Sequence, residues 1–307
     1  RREVSVKFSL RRRQLGEKVK PWLYLAPFLI FLFLFTLYPV INVFIISFKD
    51  GYSYLRGTFK GFNFENYKYV LADDKFRSGL LNSFLYVLFV VPISTAIAIF
   101  CAHLLNQKLK GSAIFQTAFF MPMVTSVTAV GLTWRLIFQK NYGILNYLLS
   151  LFGVDKIGWV DESRWSLAAL IIFGIWNILP FTIILLLSGL QNIDEMYYTA
   201  ARVDGAKPAK IFFRITVPLL SPTIFLVCIV NTISCFKVFS ELYTLFNGKP
   251  GPYFNLYTIV YYIRYAMMEK RKYGYAAAAA VIMFFVILII TILELRLKKR
   301  MQKKGLN

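Results

Sequence analysis

Long apolar runs alternate with short polar stretches along the whole of the 307-residue chain. A hydrocarbon core of roughly 30 Å takes about 20 helical residues, and six runs are long enough to cross it. Every backbone N–H and C=O inside lipid must be paired, and these runs lack the alternating pattern of barrel strands. The pattern therefore predicts an all-α membrane protein of six spanning helices in a single domain, residues 1–307. The spans lie near residues 22–48, 80–105, 113–138, 165–190, 217–246 and 274–295.

Composition agrees with a membrane protein. With 58% apolar and 18% aromatic residues, the chain is too apolar for a water-soluble domain of this length. Cys101, Cys228 and Cys235 all fall within apolar runs, which favours reduced core residues over a disulfide framework. His103 has no neighbouring ligand residues, so the sequence predicts no metal site there.

The net charge of +21 raises the possibility of a nucleic-acid partner, which the placement of the 36 Lys and Arg residues argues against. With the N-terminus inside, the cytoplasmic segments hold 20 of them in 62 positions, and the outer loops hold 13 in 80. That excess predicts both termini in the cytoplasm. A nucleic-acid binder would gather its charge on one soluble face, so no nucleic-acid partner is expected. The cytoplasmic segments are residues 1–20, 106–112, 192–214 and 296–307.

A polar stretch at residues 192–214 separates the fourth and fifth predicted spans. Asp194 is suited to cap a helix over EMYYTAARV, and Gly205 can adopt the positive φ that ends one. Pro208 then fits the first turn of a second short helix. The pattern predicts a helix, a glycine turn and another helix outside the membrane.

One face of the first predicted helix carries small residues, since Tyr197, Ala200, Ala201 and Asp204 recur at i, i+3, i+4 and i+7. Small side chains let another protein surface approach closely. Spacing alone equally allows a hairpin that tucks under its own bundle.

The same stretch resembles the loop shared by the permeases of ATP-binding cassette (ABC) importers, in which an EAA sequence is followed by a Gly and later by an Ile and a Pro. In that family the loop is the coupling helix, which docks into a groove of a separate ATPase subunit. Thr199 stands where the family has Glu, which implies docking held more by packing than by charge. The family pattern stands here as Thr199, Ala200, Ala201, Asp204, Gly205, Ala206, Phe212, Ile215, Pro218 and Pro222. ATPase coupling is accordingly expected of Thr199, Ala200, Ala201, Asp204, Gly205 and Ala206, together with Tyr197 on the same helix face.

The resemblance covers almost the entire chain and points to the carbohydrate importers of the maltose-permease type. It includes FFMPMVTSVTAVGLTWRLIFQKNYGILNYLLSLFG, LLLSGLQNIDEMYYTAARVDGA and LYTLFNGKPGP, in the family order. Lys249 departs from the usual Gly-Gly-Pro. The implied partners are a second permease, two ATPases that bind ATP and Mg²⁺, an external sugar-binding protein and membrane lipid. The implied location is the bacterial plasma membrane, and the implied cargo is a di- or oligosaccharide.

Two other classes of membrane protein are weighed against this interpretation. The chain has no GxxxxGK[ST] loop, so an ATPase would have to be another subunit. An ion-coupled secondary transporter usually carries carboxylates at the midplane, and Glu241 is the only acidic residue well inside a predicted span. No nucleophile, base or metal cluster indicates a membrane enzyme.

Polar residues inside the fourth and fifth spans are candidates for the substrate path. Trp176 and Asn177 precede Pro180, which permits a bend, and an indole beside an amide suits a sugar. An equally open alternative is that Asn177 bonds a neighbouring helix. In the fifth span a polar stripe is predicted, with an i, i+4 ion pair at its end that could instead lock the helix to the partner permease. The stripe consists of Asn231, Ser234, Lys237 and Glu241.

Aromatic residues near the outer side predict contacts at the membrane surface. Trp134 and Arg135 suit interface anchors at the end of the third span. A short amphipathic helix is predicted at the interface from the spacing of Ile144, Tyr147, Leu148 and Leu151.

Overall fold

The computed structural model describes residues 20–107 and 112–305. The charged segment 1–19 and residues 108–111, on which part of the predicted cytoplasmic charge falls, lie outside them. A two-residue antiparallel pair, β1 Lys49–Asp50 and β2 Gly61–Phe62, is the only sheet in the described ranges. All other regular elements there are helical. The helices are α1 Lys20–Ser47, α2 Glu65–Ala72, α3 Asp74–Asn106, α4 Ser112–Val124, α5 Val127–Ile137, α6 Ile144–Ser150, α7 Ser163–Gln191, α8 Glu195–Val203, α9 Pro208–Phe236, α10 Ser240–Leu245, α11 Ile259–Arg264 and α12 Tyr273–Gly305.

Within residues 20–107 and 112–305, five helices are long and apolar enough to cross a membrane, namely α1, α3, α7, α9 and α12. The third predicted span, residues 113–138, is instead a pair of helices, and α4 and α5 bend by 111° at their junction. Pro122 removes one backbone donor from the last turn of α4, and Ser126 adopts an extended ψ of 126°. Residues 113–138 therefore do not form the single spanning helix that the sequence predicts, and the described residues hold five spanning helices, or six if the bent pair counts as one span.

The fifth predicted span, residues 217–246, is also placed differently. Its helix α9 begins at Pro208, in the polar stretch, and runs through a π-helical turn at Phe212–Thr216 into the span. It ends at Phe236, ten residues before the predicted end. The buried hydroxyl of Thr258 donates to the carbonyl of Val238 at 3.1 Å, which satisfies a backbone acceptor left free by the break. The chain then resumes as the separate helix α10.

The centre of the bundle is the contact between α3 and α7; α9 packs against both of these helices, and α12 packs against α9 and α1. Gly174 on α7 provides the space for Tyr86 on α3, because a Cβ at this glycine would collide with the phenol hydroxyl. Tyr86 is only 2% exposed. Near the 192–214 end, a second apolar cluster joins α3, α7 and α9 through Ala98, Ala102, Ile183, Leu186, Leu190 and Leu220.

Buried amides fasten the loops at the opposite end of the bundle. Asn146 donates to the carbonyls of Lys140 and Ile157 at 3.0 and 2.8 Å, and it accepts from the Trp159 indole at 3.0 Å. The hydrogen bond from Lys140 to Glu162 at 2.8 Å raises the pKa of the lysine ammonium. These contacts order the segment that carries α6. The predicted short helix is confirmed, and its apolar side chains are exposed at Ile144, Tyr147, Leu148 and Leu151.

Candidate functional site

Helix α8 lies in the 192–214 loop and is capped by hydrogen bonds at both of its ends. The carboxylate of Asp194 accepts from the amide of Met196 at 2.9 Å, as predicted for an N-cap. At the other end the amide of Ala206 donates to the carbonyl of Ala201 at 3.0 Å, and that of Gly205 donates to Arg202 at 3.1 Å. This pair of bonds is a Schellman motif, and Gly205 has the positive φ of 69° that it requires.

One face of α8 is free of contact with the rest of the chain. Val203 is 83% exposed, Met196 67% and Tyr197 50%, and Ala200 and Asp204 are exposed beside them. Ala201 is the exception to the predicted face, because it is only 7% exposed and points back towards the bundle. The two alternatives from the sequence therefore combine: α8 tucks one side under its own bundle and presents the other side outward.

A cavity of about 630 Å³ lies between α8 and the neighbouring ends of α3, α7 and α9. Glu195 and Arg202 line it and approach within 3.7 Å of each other. Thr199, which replaces the expected Glu, accepts a long hydrogen bond of 3.5 Å from the same guanidinium. Arg202 thus lies between a carboxylate on one turn of α8 and a neutral hydroxyl on the next.

The structure brings Asn177 and Glu241 together, although they come from different helices. The amide of Asn177 on α7 donates to a carboxylate oxygen of Glu241 on α10 at 3.0 Å. Trp176 lies in a cluster of rings with Trp134, 5.5 Å between centroids, and with Phe173. Trp134 therefore packs inside the bundle rather than serving as an outer anchor, and the interpretation that Asn177 bonds a neighbouring helix is confirmed.

The predicted stripe of the fifth span does not exist as one surface. Asn231 is 2% exposed, and its amide donates to the Thr182 hydroxyl at 2.9 Å, so it fastens α9 to α7. Ser234 and Lys237 are exposed. The expected ion pair of Lys237 with Glu241 is absent among the described residues, because α9 ends at Phe236 and the i, i+4 helical spacing is lost.

Sequence reasoning missed a second partly buried carboxylate, which lies on α12. Glu294 accepts from the Thr232 hydroxyl on α9 at 2.8 Å, and its other oxygen has no partner among the described residues. Glu294 lies one position before the end of the predicted span, where the sequence predicts that a carboxylate lies at the membrane surface. Helix α12 continues to Gly305, so its glutamate lies inside the helix rather than at its end.

A comparison with known protein families shows the family to which the chain belongs. The model of the binding-protein-dependent transport system inner membrane component matches residues 70–303. The chain belongs to this family. The match begins in α2 and ends in α12, so both the 192–214 loop and the break after α9 lie within the family region of this permease.

Several curated relatives span nearly the same length as the permease. The arabinooligosaccharides transport system permease protein AraP of Bacillus subtilis is 31% identical over 286 residues, 92% of this chain and 89% of AraP. The trehalose/maltose transport system permease protein MalF of Thermococcus litoralis is 30% identical over 249 residues, 81% of this chain and 82% of MalF.

Among solved structures, the permease resembles a chain of a bacterial ABC transporter involved in the import of the acidic polysaccharide alginate. The TM-score is 0.80 at 22% identity, over 94% of this chain and 99% of that one. The same likeness, again with a TM-score of 0.80, holds for that transporter in complex with an alginate pentasaccharide-bound periplasmic protein. The permease therefore has the all-α fold of ABC importer permeases.

Proposed function

We propose that the permease forms half of the translocation path of an ATP-driven importer, through which a di- or oligosaccharide enters a bacterium. A second permease completes the path, an external solute-binding protein delivers the sugar, and two separate ATPase subunits bind ATP and Mg²⁺. The observation that carries this proposal is α8, whose outward face is fixed by caps at both ends and left uncovered by its own chain.

The sugar cargo is supported by the relatives rather than by a bound ligand. AraP and MalF are named for arabinooligosaccharides and for trehalose and maltose, and each aligns with most of the permease. The two partly buried carboxylates also have hydrogen-bond donors of their own, Asn177 for Glu241 and Thr232 for Glu294. Nothing in these contacts favours the ion-coupled alternative.

Helix α9 offers a direct mechanical link between the ATPase and the path. It begins three residues after Gly205 and runs without interruption to Phe236, where the chain breaks beside the path candidates. A movement of α8 imposed by ATPase closure is therefore transmitted along one helix. Transport follows when nucleotide binding biases the bundle between two arrangements of different stability.

The orientation of the permease is open to direct measurement. We expect both termini and the 192–214 loop to face the cytoplasm, because the basic residues are concentrated on that side. Single Cys residues at Asn192 and Asn247, in a background without native Cys, should react oppositely with an impermeant thiol reagent in intact cells. Both positions are exposed and lie at opposite ends of the bundle. Labelling of position 192 from outside would reverse the assignment.

The docking of α8 can be tested with a photoreactive amino acid in the assembled transporter. At Val203, 83% exposed, we expect an ultraviolet-dependent covalent product with the ATPase subunit. The matched control is Tyr198, five residues earlier on the same helix, which lines the cavity on the opposite side. It should give at most a product within the permease. Equal capture of the ATPase from both positions, or from neither, would remove α8 from the contact.

A further inference from the structure

Lys237 is a cation without a counter-charge in the part of the chain that the structure describes. It is exposed and caps the C-terminus of α9. No carboxylate of residues 20–107 or 112–305 lies within 4.0 Å of its ammonium. Glu241, its nearest acidic neighbour in the sequence, accepts from Asn177 instead. By contrast, Arg264 nearby is paired with Glu269 at 3.3 Å.

The depth of Lys237 follows from the contacts between α9 and α7. Asn231 hydrogen-bonds to Thr182, and the two helices run in opposite directions through the bundle. Six residues further along α9 correspond to roughly 9 Å at 1.5 Å per residue, which brings Lys237 level with Trp176 on α7. Trp176 is near the middle of the 29-residue helix α7. Lys237 therefore lies close to mid-depth in the bundle rather than at its outer edge.

An ammonium at that depth must face water, a cavity or an opposite charge, because a lone charge in hydrocarbon is costly. The C-terminal dipole of α9 supplies only about half an elementary charge. Ser234, three residues earlier, is exposed on the same side as Lys237, so the surface here is polar over two successive helical turns. The rest of the described chain leaves this surface of α9 uncovered.

Aromatic rings next to the break add the second element of a sugar site. Phe239 and Tyr243 have ring centroids 5.4 Å apart, and Tyr243 remains 37% exposed. The guanidinium of Arg264 lies over both rings, 6.0 Å from the Phe239 centroid and 5.1 Å from that of Tyr243, so only their uncovered surface can accept the C–H faces of a sugar. A hydroxyl such as that of Ser234 bonds sugar hydroxyl groups. A neutral sugar would displace water from the Lys237 ammonium without supplying an opposite charge.

We propose that the ammonium of Lys237 binds an anionic group of the transported sugar, so that the cargo is an acidic saccharide carrying a carboxylate or a sulfonate. This inference rests on the proposed import of a saccharide and specifies its chemical class. Lys237 makes the path specific for a negatively charged sugar. Ser234 and the rings of Phe239 and Tyr243 contact the neutral part of that sugar.

The test uses the complete transporter, with its second permease, ATPases and binding protein, reconstituted in liposomes. Uptake is measured for pairs of disaccharides that differ only in carrying carboxylates in place of hydroxymethyl groups, such as digalacturonate and galactobiose, and for a sulfonated glycoside. We expect uptake of an acidic member and a rise in its apparent KM on the order of tenfold in Lys237→Gln, since a charge-assisted hydrogen bond is lost. Lys237→Arg, which keeps the charge, should restore most of it.

The matched control is Lys249→Gln, an exposed lysine of the same region that lies beyond α10. It should change the KM by less than about twofold, as expected for an exposed residue away from the path. Uptake of neutral sugars only, or an unchanged KM in Lys237→Gln, would overturn the proposal while import itself stands. Loss of the second permease from purified Lys237→Gln transporter would also overturn it, because the counter-charge would then be on that subunit. If no saccharide is taken up with ATP, the proposed function fails as well.

Discussion

Gly205→Val is expected to leave the permease in the membrane and to lower sugar-stimulated ATP hydrolysis to roughly a tenth or less. Gly205 has a φ of 69°, a conformation that costs L-residues roughly 1–2 kcal/mol and β-branched residues more. No atom lies within 4 Å of the position of an added Cβ, so the effect comes from the backbone alone. Loss of this turn releases the two Schellman bonds, from Ala206 to Ala201 and from Gly205 to Arg202, and changes the direction in which α8 presents its face.

Two controls separate this effect from general destabilisation. Gly205→Asn should retain most of the stimulation, because asparagine tolerates positive φ. Gly57→Val introduces comparable strain at a glycine with a φ of 63° and open surroundings, but in the loop at the other end of the bundle. It should leave ATP hydrolysis coupled. Full stimulation by an assembled Gly205→Val transporter would show that the turn has no part in coupling.

Gly174→Leu is expected to prevent the bundle from forming. The Cβ alone collides with the hydroxyl of Tyr86, a ring that is almost fully buried between α3 and α7. Additional methylenes in a packed core typically cost about 1–3 kcal/mol, and this contact is the most extensive in the bundle. The yield of monodisperse permease after extraction in detergent should fall sharply, which size-exclusion chromatography of a fluorescent fusion measures.

The smaller substitution Gly174→Ala gives a graded test of the same contact. It should lower the thermal midpoint, and Tyr86→Phe should recover part of the loss because the colliding hydroxyl is removed. Gly61→Ala is the matched control, since no atom lies within 4 Å of its added Cβ. Equal thermal midpoints for the alanine variants at 174 and 61 would contradict the close contact of α3 and α7.

Local chemistry made the 192–214 loop predictable. The N-cap at Asp194, the turn at Gly205 and the proline at position 208 act through a few neighbouring residues, and the structure confirms each one. The side to which Ala201 points depends on the tertiary packing of α8 under the bundle. Spacing placed it on the right helix but on the wrong face.

The break after Phe236 could not be read from the sequence. No Gly or Pro occurs at residues 237–239, and the apolar pattern continues. The break is stabilised from a distance by Thr258, some twenty residues later, whose hydroxyl takes the freed carbonyl. For the same reason the partner of Asn231, a threonine on α7, was not foreseeable. The Lys237–Glu241 pair was predicted on a helical spacing that this long-range contact removes.

The dependence of uptake on ATP distinguishes an ATP-driven importer from an ion-coupled transporter. The permease, its second permease and the two ATPases are reconstituted in liposomes, and binding protein loaded with labelled saccharide is added outside. We expect saccharide to accumulate only when ATP and Mg²⁺ are enclosed, and an ATPase variant unable to hydrolyse ATP to abolish accumulation. Accumulation driven by a sodium or proton gradient, with no ATP and no ATPase subunits present, would contradict the account.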